Sequence, residues 1–248
     1  MVRPAAARGK KLSRGSRVSR VSRRETTVEH IDLARLIDHT LLRPDAAAAD
    51  VKRLCREAVE HGFFSAVVNT HWVPLASREL AGTDVVVCSI AGFPLGAVDR
   101  EVKAFEAGRA VRAGAREIDM VMNVGAFKSG DVDAVRADIA GVVAACGEAL
   151  VKVIIEAALL DDGEKARACL LAREAGARFV KTSTGFGPPG ANVRDVEIMR
   201  RAVGPGFGVK ASAGIRTAAF ALELVRAGAD RIGTSASVAI MEEWKKLP

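Results

Sequence analysis

Four times along this chain a helix-like segment ends in a glycine and runs straight into an apolar strand: VEHGFFSAVVN, VRAGAREIDMV, REAGARFVKTS and VRAGADRIGTS. Gly62, Gly114, Gly176 and Gly228 stand just past the helix ends, where positive φ costs glycine little. Ahead of them the periodicity is helical. Val51, Leu54, Cys55, Ala58 and Val59 form one apolar stripe, as do Ala221, Leu224 and Val225. Strands are predicted at 36–39, 65–69, 85–90, 117–123, 150–156, 179–183, 208–213 and 231–235. Eight short strands alternating with helices predict an α/β chain closed into a parallel (β/α)8 barrel rather than an open doubly wound sheet.

The length suits one such barrel. At 248 residues and 49% hydrophobic content the chain can bury a single large core. The formal charge of +7 is not spread evenly. Residues 1–24 hold nine basic side chains and no acid, so the remainder carries about two more acids than bases. We expect a basic, disordered tail over 1–29 and one barrel domain over 30–248. Cys55, Cys88, Cys146 and Cys169 are scattered and form no CxxC pair. With no apolar run of membrane-span length and no hydrophobic signal region after Met1, they read as reduced thiols of a cytoplasmic protein.

Two stretches carry the chemistry: FVKTSTGFGPPG (179–190) and GVKASAGIR (208–216). Each places a lysine within a short strand, behind Val180 and Val209. An ammonium is costly to bury, and two on neighbouring parallel strands would lie about 5 Å apart. Making a lysine largely neutral near pH 7 takes about 4 kcal/mol against its cation. A second unit charge about 4 Å away, at an effective dielectric of about 20, supplies about as much. Lys181 and Lys210 therefore read as a pair in which one amine is a nucleophile.

These stretches, with LIDHTLLRPDA (36–46), CSIAGFPLGA (88–97), EIDMVMNVGAFKSGD (117–131), VKVIIE (151–156) and RIGTSASVAI (231–240), resemble the deoxyribose-phosphate aldolase family. The resemblance runs in order from Leu36 to Met241. It implies a (β/α)8 barrel and a class I aldolase, cleaving 2-deoxy-D-ribose 5-phosphate reversibly to D-glyceraldehyde 3-phosphate and acetaldehyde in deoxyribose phosphate catabolism. It implies Lys181 as the Schiff-base lysine, Lys210 as the second catalytic lysine and Asp119 as the proton-shuttling carboxylate. Asp38 and Thr40 would assist Lys210 and a substrate hydroxyl, while Thr182, Gly185, Gly214, Gly233 and Ser235 would bind substrate or its phosphate. Lys152 and Glu156, on one face of strand five, are expected to pair. The chain departs from the family pattern at Ala213, where a second glycine is usual, at Ala236 and Val67, and in having no tyrosine.

No cofactor and no metal are expected: His30, His39, His61 and His71 show no HxxxH spacing, and class II aldolases use zinc where this chain offers lysine. Gly185, Gly187 and Gly190 match GxGxxG, but Pro188 and Pro189 remove donors from that turn and no ribose-binding acid ends the next strand. The expected partners are a sugar phosphate and acetaldehyde. Neither a membrane nor, beyond its basic tail, a nucleic acid is expected, and a homodimer is the candidate assembly. Another lysine-dependent aldolase of the same fold and a non-catalytic phosphate- or nucleic-acid-binding protein are the alternatives.

Overall fold

The computed structural model describes residues 31–187 and 189–246. The predicted tail, His30 and Pro188 of the GxGxxG match lie outside the described residues. Eight strands, β1 (Ile37–Leu41), β2 (Ser65–Val68), β3 (Val86–Ala91), β4 (Glu117–Val121), β5 (Leu150–Ile154), β6 (Phe179–Lys181), β7 (Gly208–Ser212) and β8 (Arg231–Thr234), run parallel in sequence order. Pairing of Ile37 with Ile232 and of His39 with Thr234 closes the sheet on itself. Nine α-helices are described: α1 (Ala48–Glu60), α2 (Val73–Glu79), α3 (Arg100–Arg112), α4 (Val124–Lys128), α5 (Val132–Cys146), α6 (Asp162–Glu174), α7 (Val193–Val203), α8 (Ala218–Arg226) and α9 (Ser237–Trp244). The closed barrel expected from the repeat is the fold observed.

The repeat works by one local device. In α1, α3, α6 and α8 the glycine two residues past the last helical residue has φ of +67°, +116°, +92° and +115°. Its N–H and the next one fold back on the last turn. At α1 these bonds are Gly62 N–H to Val59 O and Phe63 N–H to Ala58 O, and the other three ends repeat them. Each strand then starts three residues after the glycine. The orphan carbonyls of the helix are thereby satisfied as the chain turns toward the sheet.

Strand alternation sorts the side chains. Ile118, Met120, Val151, Val153, Val180, Val209 and Ile232 are fully or almost fully buried. They lie at the strand positions alternating with the inward-facing charges, and each adds about 1.5–3 kcal/mol of burial. Val51, Leu54, Cys55 and Ala58 of α1 are buried as the stripe requires, but Val59 is half-exposed, being at the edge of that stripe in the last turn. Many of the inward positions are charged. Asp38, Glu117, Asp119, Lys152, Lys181, Lys210 and Arg231 are all buried, and such a filling persists only when its charges are paired. Among the described residues no helix is long and apolar enough to cross a membrane, and the four cysteines are buried and unpaired.

Candidate active site

Lys181 and Lys210 are direct register partners on β6 and β7. Both amines donate to the same oxygen, Asp119 Oδ2, at 2.9 and 2.8 Å. Asp119 stands in the middle of β4, across the barrel, so closure rather than local sequence brings the three together. Asp38 Oδ2 lies 2.5 Å from Lys210 Nζ. The four residues expected to carry catalysis thus form one cluster.

Their environments separate the two lysines. Burial pushes the Lys181 pKa down; Asp119 opposes this and Lys210 reinforces it. Burial acts on Lys210 as well, but Asp119 and Asp38 together hold its pKa above the ordinary lysine value. Desolvation is thus the larger cause at Lys181, and the neighbouring cation the smaller. Asp119 would be raised by burial, yet Lys152, Lys181 and Lys210 keep it well below the usual carboxylate range. Asp38 is likewise lowered, against its burial, by Lys210, Lys152 and Arg231.

A pocket of about 410 Å³ opens over the C-terminal ends of β6, β7 and β8, the side on which barrels of this kind carry their chemistry. Lys181 is on its wall, while Lys210, Asp119 and Asp38 are buried beneath it. Thr40, Gly185, Gly214, Gly233 and Ser235 line it. Thr182 does not: its hydroxyl donates to Ser212 O and accepts from Ser212 N–H, so it ties β6 to β7. Gly233 has a further reason to be glycine. A methyl there would lie 2.4 Å from Ser212 Oγ and 2.8 Å from Lys210 Cε. Gly185 and Gly214 turn the loops with φ of +87° and +75°, and Ala213 shares this conformation at +74°.

The pairing of Lys152 with Glu156 is not found. Lys152 Nζ lies 2.5 Å from Glu117 and 3.0 Å from Asp119. Glu156 falls beyond the end of β5 with φ +49°, where its carboxylate accepts from the Thr184 N–H and hydroxyl. A left-handed residue breaks strand alternation, so the two side chains lose the common face the sequence predicts for them.

Sequence reasoning passed over several residues. Ser212 is buried on the pocket wall and its hydroxyl has no hydrogen-bond partner. Its place two residues after Lys210 on one strand face was the available signal. Thr184 and Phe186 line the same pocket, and exposed Arg216 brings a cation to the end holding Gly214 and Ser235. Val67, one of the departures from the family pattern, is a core residue packed with Leu42, Cys88 and Ile90.

A barrel with a lysine on its pocket wall and carboxylates beneath defines the class: a (β/α)8 barrel enzyme with such a pocket at the C-terminal ends of its strands. Residues 33–242 match the DeoC/LacD family aldolase model, and the chain belongs to that family of lyases. It is 58% identical over 212 residues to the deoxyribose-phosphate aldolase of Enterococcus faecalis, covering 85% of this chain and 96% of that one. With the deoxyribose-phosphate aldolase of a Thermoanaerobacter species it shares 54% identity over 220 residues, covering 88% of this chain and 99% of that one. The tetrameric deoxyribose phosphate aldolase of Aeropyrum pernix superimposes with a TM-score of 0.82 at 41% identity, over 88% of this chain and 92% of that one.

Proposed function

We propose that this chain is a class I aldolase that reversibly cleaves 2-deoxy-D-ribose 5-phosphate to D-glyceraldehyde 3-phosphate and acetaldehyde. The observation that carries it is the contrast between the two lysines: Lys181 reaches the pocket with its cation disfavoured, and Lys210 lies beneath with its cation favoured. The neutral Lys181 amine attacks the open-chain aldehyde, and loss of water from the carbinolamine leaves an iminium. The C3 hydroxyl then loses its proton and the C2–C3 bond breaks. Its electron pair moves into the iminium as an enamine, releasing glyceraldehyde 3-phosphate. Protonation at C2 and addition of water return acetaldehyde and the free amine. Asp119 Oδ2, touching both amines, is placed to pass protons between them.

Thr40 and the unpartnered Ser212 hydroxyl are the polar groups on the wall suited to the sugar hydroxyls. The loops holding Gly185, Gly214 and Ser235, with Arg216, suit the phosphate dianion. The protein works in the cytoplasm on small substrates and assembles from identical copies, a dimer being the smallest such unit.

Borohydride added with 2-deoxyribose 5-phosphate is expected to place the adduct on the peptide containing Lys181, as read by mass spectrometry. Lys181→Ala should abolish turnover, and a chelator should leave it intact. Charge-assisted bonds of about 1.5 kcal/mol or more each should favour the phosphorylated sugar over deoxyribose by about 100-fold or more in kcat/KM. An adduct confined to Lys210, or equal efficiency on both sugars, would sink this assignment.

A further inference from the structure

Six charged side chains inside the barrel close a ring of alternating sign. Arg231 Nη1 lies 2.6 Å from Asp38 Oδ1 and its Nη2 lies 3.1 Å from Glu117 Oε1. Glu117 Oε2 is 2.5 Å from Lys152, and Lys152 is 3.0 Å from Asp119 Oδ1. Asp119 Oδ2 is 2.8 Å from Lys210, whose amine returns to Asp38 Oδ2 at 2.5 Å. Every cation of the ring lies between two carboxylates, and every carboxylate between two cations. Three of each leave the ring neutral. Lys181 stands outside it, 2.9 Å from an Asp119 oxygen that Lys210 already uses. A proton on Lys181 would be the surplus positive charge of the interior.

We propose that Arg231 and Glu117 are positioning residues for the reaction: by completing a neutral ring, they leave Lys181 as the amine without a carboxylate of its own, free to form the imine. This rests on the reading of Lys181 as the imine-forming lysine. Neither residue lines the pocket. They open β8 and β4 at the strand ends remote from it, with the Arg231 guanidinium packed over the Phe64 ring. The other strands facing the ring add no charge that alters this balance. β2 contributes Ser65, which donates to Asp38, and β3 contributes Cys88, whose thiol burial keeps protonated beside Asp119 and Lys152. Glu156, past the end of β5, is occupied by Thr184.

A residue that merely filled the barrel would lower activity without regard to the sign of its charge. A residue that sets charge must move the titration of Lys181, and in a direction fixed by what is removed. Glu117→Gln leaves the ring at +1 and should move the acid limb of kcat/KM lower by about one pH unit. Arg231→Gln leaves it at −1 and should move that limb higher by about as much. Arg231→Lys keeps the charge and should restore the wild-type limb. The same midpoints should appear in the rate of cyanoborohydride trapping of acetaldehyde, a reactant with no titrating group of its own. Limbs that stay in place, or move the same way in both variants, overturn the proposal. If one variant does not fold, the sign found in the other decides. Trapping in the unaltered enzyme keeps the two ideas apart. An adduct away from Lys181 removes the reading beneath, whereas an adduct at Lys181 with unmoved limbs removes the ring alone.

Discussion

Ala213 holds φ at +74° on the pocket wall, where an L-residue with a β-carbon costs about 1 kcal/mol. Ala213→Gly removes that strain but gives the unfolded chain extra freedom worth about 0.4–1 kcal/mol in the other direction. The two nearly cancel, so the midpoint of thermal unfolding should move by less than about 3 °C. Gly190 is the intolerant position of this corner. A methyl built there would lie 2.2 Å from the Ala213 carbonyl oxygen, a backbone atom that cannot step aside. Ala191 N–H, beside it, donates to both Ser212 O and Ala213 O, which joins the loop after β6 to the loop after β7. Gly190→Ala should therefore raise KM for the phosphorylated sugar about tenfold or more, a misplacement effect, while Ala213→Gly leaves it within about twofold. Steady-state kinetics on both variants checks the contrast, and equal KM values would mean the two loops are not coupled. Lys181 and Lys210 are legible as a pair in the sequence because an ammonium is costly inside an apolar strand, whereas Asp119 is singled out there only by the family resemblance. Residue identity did not reveal the partner of Lys152, since Glu117 and Glu156 share its strand neighbourhood on paper and only the left-handed turn at Glu156 separates them.

The four glycine-ended helices share backbone geometry but not surroundings, so substituting each asks a different question. At Gly62 a methyl would meet nothing within 4 Å, leaving the positive φ as the whole cost, about 1 kcal/mol. At Gly114 the same methyl would lie 2.2 Å from Ser77 Oγ and 2.8 Å from Ser77 Cβ, against α2. Overpacking then adds to the φ cost, and Gly114→Ala should lose about 2 kcal/mol or more. Denaturant unfolding of the two variants, compared at a common slope, measures the difference; equal losses would show that α2 yields. At this scale the sequence was most readable, because turn chemistry is local. All eight strands lie where periodicity puts them, and the discrepancies are at their ends. Strands β4 and β5 stop two residues early, at Val121 and Ile154, and β6 stops at Lys181. There the chain turns into the loops over the strand ends: past β4 and β5 the apolar Met122 and Ile155 are buried without being strand, and past β6 the chain continues as polar Thr182 and Ser183. Burial and strand pairing look alike in a one-dimensional pattern.

For the molecule as a whole, closure makes the site, and closure is complete within residues 37–234: β1 pairs with β8 directly, so the hydrogen-bonded ring lacks no strand. The interior ring of charges follows from that closure, joining β1, β4, β5, β7 and β8, and no stretch of sequence displays it. Residues 1–24 form a basic segment ahead of the barrel in sequence. Removing residues 1–24 takes away nine positive charges and no negative ones, so the formal charge falls from +7 to −2. Charge of this kind governs solubility and non-specific association more than fold. The truncated chain should therefore keep its kcat/KM within about twofold and its thermal midpoint within about 2 °C, a change smaller than that from about 1 kcal/mol. Its surface behaviour should reverse. At pH 7 the full chain should bind a cation exchanger and associate with a polyanion such as heparin or duplex DNA. That association should weaken steeply between about 50 and 200 mM salt, as counterion release requires. The truncated chain should bind the anion exchanger and leave the polyanion alone. Were truncation instead to lower the thermal midpoint by many degrees, the segment would have to pack against the barrel, and its charges would belong to the fold. Retained polyanion binding would locate the basic surface on the barrel, where the remaining bases are outnumbered by acids.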